Sequence, residues 1–161
     1  MVGKRSATML VLVVAVGCMQ STASRTPTLQ LVDGTGSTIT SGSIQQSAAA
    51  KQSPTGIDIT FTLKWMGARD TVMALSPCAP PVRLYTAMAG GTMVYPTDGG
   101  SVCIALAALV TFVPGQERTQ QVTLGSDSVA RKLSPSRYYI RLVPLYATAS
   151  GELLAGVVDR P

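Results

Sequence analysis

The chain contains no histidine. Without an imidazole, a Ser-His-Asp or Cys-His site has no general base. A zinc site of the usual nitrogen and sulfur kind also loses a main ligand type. Charged residues make up 13% of the chain, about half of the usual ~25%. Past the first few residues, the densest basic pair is Arg131-Lys132. Nucleic-acid binding needs a concentrated basic face, so nucleic acid is set aside as a partner. There is no Cys-x-x-Cys, which removes the common thiol redox motif. The glycine turns Asp33-Gly34 and Asp98-Gly99-Gly100 supply neither the P-loop lysine and hydroxyl nor a full dinucleotide pattern. No cofactor is implied.

What the chain does have begins at its start. Lys4 and Arg5 precede an apolar run from Ala7 to Val16, followed by Gly17 and Cys18. A charged start, an apolar centre and small residues before a cut are the parts of a secretory signal. The run is about half of the ~20 apolar residues that a spanning helix needs. Cys18 directly behind Ala15-Val16-Gly17 resembles the lipobox of bacterial lipoproteins, with Ala15 where leucine is usual. The resemblance implies cleavage before Cys18, lipid on that cysteine, and a membrane partner reached through the lipid. Met19 in place of aspartate would fit sorting to the outer membrane. Ordinary secretion with cleavage after Gly17, or a retained anchor, are the alternatives. Lys4 and Arg5 account for two of the +5 net charge, so the mature chain is only weakly basic.

With Cys18 assigned to lipid, Cys78 and Cys103 are left as an even pair in a chain bound for an oxidising compartment. A disulfide between them would close a loop of about 26 residues and contribute roughly 3–4 kcal/mol. A metal site on these two lacks further ligands.

Three regions follow: a leader over 1–17, a flexible tether over 18–28, and one β-domain over 29–161. The tether is rich in serine and threonine, as in Gln20 to Thr28. Leu29, Leu31 and Ile39 suggest short strands, and Ser47 to Gln52 reads as loop or one helical turn. Ile57 to Trp65 alternates strictly, with Ile57, Ile59, Phe61, Leu63 and Trp65 on one face; that period marks a half-buried strand. Thr71 to Leu75 is expected to pair back on it. Val82 to Thr86, Thr92 to Tyr95, Ala108 to Val113, Gln120 to Leu124, Tyr138 to Tyr146 and Glu152 to Val158 are further strands. Pro144 puts the far end of one at an edge or bulge. Gly125 to Lys132 reads as loop. Many short strands between turn signals predict an antiparallel β-sandwich, with Ile59, Phe61, Trp65 and Tyr138 in the core.

Leu133-Ser134-Pro135-Ser136-Arg137-Tyr138 resembles the L-x-P-x-x-Y corner of immunoglobulin-like sandwiches. The resemblance implies that the Tyr138 hydroxyl returns to the upstream backbone. The order of an alternating strand, the Cys78–Pro81 segment, Val82-Arg83-Leu84-Tyr85, Cys103, and Phe112-Val113-Pro114-Gly115-Gln116 before the corner is similar to the immunoglobulin-like domain of bacterial lipoproteins. It is also similar to BsuPI-like proteinase-inhibitor domains. Ser136 stands where that corner usually has glycine, and Tyr95-Pro96 where a Trp-rich stretch is expected.

The acids Asp33, Asp58, Asp70, Asp98, Glu117, Asp127, Glu152 and Asp159 are scattered, mostly in turns. The chain therefore reads as a non-enzymatic, lipid-anchored cell-envelope protein acting as a binding or accessory module, one that would offer a sheet edge or end loops to an envelope protein or glycan. The alternatives are a proteinase-inhibitor-like domain, with the proline-rich Cys78–Pro81 loop as contact, or a secreted structural β-domain. Exposed aromatics in loops at one end of the sandwich would favour binding, and a uniformly polar exterior a structural role.

Overall fold

A computed structural model describes residues 26–75, 81–96, 107–143 and 152–161. Cys18, Cys78, Cys103, Asp98, Pro144 and Tyr146 lie outside the described residues, as does most of the tether.

The strands are β1 (Gln30–Asp33), β2 (Ser37–Ser41), β3 (Ile44–Ser53), β4 (Gly56–Trp65), β5 (Thr71–Leu75), β6 (Val82–Tyr85), β7 (Met93–Tyr95), β8 (Ala108–Phe112), β9 (Glu117–Gly125), β10 (Ser136–Leu142) and β11 (Leu153–Arg160). One short helix, α1 (Ser126–Ala130), follows β9. One sheet has the order β1-β11-β10-β6-β7, a second β2-β3-β4-β9, and a ribbon pairs β5 with β8. Every pairing is antiparallel. The sheets pack on one core, so the fold is an all-β sandwich.

Strand β4 is the spine of the second sheet. Its alternation puts Ile57, Ile59, Phe61 and Leu63 inward, each at most 2% exposed. Opposite them stand Leu84, Ile140, Leu142, Leu153 and Val158, all fully buried. Burying one such side chain contributes roughly 1.5–3 kcal/mol. Trp65 continues the inward row, but at the end of β4 it is only half-buried, not a core residue as expected. It packs against the edge of the core, and its indole N–H donates to the Arg69 carbonyl at 2.7 Å.

Residues 29–56 join the sandwich as three strands. Ser47 to Gln52 is neither loop nor helical turn: it is the middle of β3, bonded to β4 over ten register pairs. Local alanine preference for helix yields there to pairing. Ala50 also has a packing reason. On Gly156 of β11, a Cβ would lie 2.7 Å from the Asp33 oxygen and 3.1 Å from the Ala50 Cβ. Only small side chains let β3 and β11 approach so closely. Gly36, at φ +70°, turns the chain between β1 and β2, where a Cβ would overlap the Ala48 carbonyl.

Two further expectations change. Strand β5 does not pair back on β4, because β3 and β9 already occupy both edges of β4; it pairs with β8 instead. Residues 126–130 are not loop but α1, held because Val129 and Ala130 are buried against the core.

Candidate functional site

Tyr138 opens the site from the inside. It is 4% exposed on β10, and its hydroxyl donates to the Ser134 carbonyl at 2.7 Å. The bond ties the start of β10 to the turn before it. Tyr138, Ile140 and Leu142 point inward, so Arg137, Tyr139 and Arg141 stand on the outer face of the five-stranded sheet.

The register extends that outer face across neighbouring strands. Tyr139 lies opposite Tyr85 of β6 and opposite Val157 of β11, and Tyr85 lies opposite Met93 of β7. One row therefore reads Met93, Tyr85, Tyr139, Val157. Beside it, Arg141 faces Arg83 directly. Like charges so placed repel. Glu152, just before β11, resolves the conflict by giving one oxygen to each. Arg83 Nη1 reaches Oε1 at 2.9 Å and Arg141 Nη1 reaches Oε2 at 3.3 Å. The Tyr85 hydroxyl also donates to Glu152 Oε1, at 2.8 Å.

The two arginines differ in freedom. The Arg141 side chain is 13% exposed. Its guanidinium lies 4.0 Å from the centre of the Tyr85 ring, a cation–π contact. Its Nη2 donates to the Ala87 carbonyl, and its buried Nε has no hydrogen-bond partner among the described residues. The Arg83 side chain is 37% exposed. Its Nη1 donates to Glu152, and its guanidinium also meets the Tyr85 hydroxyl. The neighbouring Tyr85 hydroxyl first, and Glu152 second, hold Arg83 more firmly protonated than a free arginine. At the other side of the aromatic row, Arg137 and Asp159 form a two-bond pair at 2.8 and 3.0 Å.

The outer face of the four-stranded sheet is different. Asp58, Thr60, Thr62 and Lys64 of β4 lie opposite Thr123, Gln121, Thr119 and Glu117 of β9. Thr123 donates to Asp58 at 2.6 Å, and Lys64 meets Glu117 at 2.8 Å. That face carries no aromatic residue in these two strands. A third surface, on the β5–β8 ribbon, exposes Val72 and Leu109, the latter to 77%.

Among the described residues, the carboxylates do not converge. Asp33 accepts from Thr35, Asp58 from Thr123, and Glu117, Glu152 and Asp159 each meet a basic side chain. Among the described residues, no three histidine, cysteine or acidic side chains come together as metal ligands. Two shallow grooves, about 420 Å³ beside Pro96 and Tyr138 and about 440 Å³ beside Leu29 and Ser126, hold no pair of acids. Among the described residues no helix is long and apolar enough to cross a membrane.

Alternation around an inward Tyr138 puts Tyr139 and Arg141 on one outward face, but from sequence none of Arg83, Tyr85 and Glu152 is expected as a companion of that face. The only local signal was the alternation of Val82-Arg83-Leu84-Tyr85; nothing nearby in the chain points to Glu152. No family model, curated protein or solved structure matches this chain.

Proposed function

We propose that this protein is an exported, lipid-anchored and non-enzymatic binding module of the cell envelope, which meets its partner with the outer face of the five-stranded sheet. The observation that carries this reading is the contrast between the two outer faces. One is a ladder of threonines, glutamine and paired charges. The other sets Met93, Tyr85 and Tyr139 beside two arginines. Tyrosine, methionine and arginine are the residues enriched at recognition surfaces. The leader and Cys18 support export and anchoring. The absence of histidine from the chain and the dispersed carboxylates support a binding role over catalysis.

The test is site-specific photo-crosslinking in the native host. A photoreactive residue at 139 is expected to give a discrete adduct in the envelope fraction, and one at 121, on the opposite sheet, none. Equal labelling from both positions, or none from 139, would remove the binding face.

A further inference from the structure

We propose that the corner formed by Arg83, Tyr85 and Tyr139 recognises a carboxylated sugar of the hexuronic acid class, with Arg83 taking the carboxylate. The inference rests on the binding reading above and names the ligand class for that face.

The first argument is charge. Arg83 and Arg141 share the single carboxylate of Glu152, while Arg137 has Asp159 to itself. Among the described residues, one positive charge on this face is therefore uncompensated. The spare donors belong to Arg83: Glu152 and the Tyr85 hydroxyl engage its guanidinium, and these two partners do not use all five of its N–H groups. The remaining N–H groups can meet the oxygens of a carboxylate. Arg141 is not the reader. Glu152, the Ala87 carbonyl and the Tyr85 ring hold it in place, so it positions Tyr85 and Glu152 under the ligand.

The second argument distinguishes a sugar from a peptide. Strand β10 has a neighbour along both sides, and β6 is paired on both sides at Leu84 and Tyr85. The backbone beneath the tyrosine row is therefore committed to the ladders, so an extended peptide lying over that row finds no main-chain partners there. Recognition must come from side chains standing up from the sheet. Tyrosine rings offer flat apolar area with a polar tip, suited to a sugar with C–H faces and hydroxyl edges. The Tyr139 hydroxyl makes no hydrogen bond to a described residue and can meet such a hydroxyl.

The experiment is titration calorimetry on the detergent-solubilised full chain, with three probes: tetragalacturonate, its neutral methyl ester, and pentaglutamate. Tetragalacturonate is expected to bind saturably below about 10 mM, more weakly as salt rises. The methyl ester and pentaglutamate are each expected to bind at least about tenfold more weakly. Arg83→Gln should lose about tenfold for tetragalacturonate, Arg83→Lys somewhat less, and Arg118→Gln, on the other sheet, nothing. Arg83→Lys keeps the charge and guards against a folding defect in Arg83→Gln. Absence of tetragalacturonate binding, equal binding of the ester, or wild-type affinity in both Arg83 variants overturns the proposal. Equal binding of pentaglutamate overturns the sugar assignment. If residue 139 still crosslinks a partner in cells after any of these, the ligand class falls and the binding face stands.

Discussion

Arg83 and Arg141 face each other across β6 and β10, and one carboxylate, Glu152, holds both. Two positive charges directly opposed on a sheet are unfavourable without such a bridge. Glu152 therefore joins three strands, since it precedes β11 and contacts β6 and β10.

Glu152→Gln should unfold at lower denaturant, by about 2–3 kcal/mol, because it leaves the largely buried Arg141 without its counter-charge. The double variant Glu152→Gln with Arg141→Leu should be less destabilised than the sum of the two single changes. Additive losses in equilibrium urea unfolding would show that Glu152 does not hold the pair.

Tyr138→Phe keeps the buried ring but removes its bond to Ser134. The Ser134 carbonyl then loses a partner, at a cost of about 1–2 kcal/mol. The urea midpoint should fall with an unchanged slope. A midpoint equal to that of the wild type would mean that the corner bond contributes nothing to stability.

Acid should weaken the fold through Asp159 and Asp33. Hydrogen bonding from Arg137 lowers the pKa of Asp159 below the ordinary 3.8. The Thr35 backbone N–H, then its hydroxyl, does the same for Asp33. A lowered folded pKa contributes stability that is fully present above the unfolded value and is lost as pH falls through the folded one. The loss therefore lies below about pH 4. Asp159→Asn combined with Asp33→Asn should flatten the fall in Tm between about pH 5 and pH 2. An unchanged slope would assign acid sensitivity to other groups.

Intact mass of the protein from native membranes tests the anchor and the staple. The expected species begins at Cys18 and carries lipid. It gains about 2 Da on reduction, as two hydrogens add to the Cys78 and Cys103 sulfurs. An unlipidated chain in the medium would make the protein secreted and remove the anchor. No mass change on reduction would remove the disulfide.

Much of the fold is legible along the chain wherever burial has a local period. Ile57 to Leu63 alternates because β4 has one wet and one dry face, and that pattern survives without knowledge of its neighbours. The phase of Tyr138 with Ile140 and Leu142 is readable for the same reason. Ser47 to Gln52 was not legible. Its alanines carry no strand preference, and the small size of Ala50 matches the close approach of Gly156 on β11.

The inward and outward rows of each clear strand follow from the chain alone, because side-chain alternation is a property of one strand's own residues. Which strands lie side by side is set by the assembled fold. Strand β5 could not join β4, whose edges were occupied, and Glu152 stands 69 residues from Arg83 in the chain yet 2.9 Å away in space. Pairing and convergence of this kind depend on register between distant segments, which no local pattern of hydrophobic and polar residues encodes.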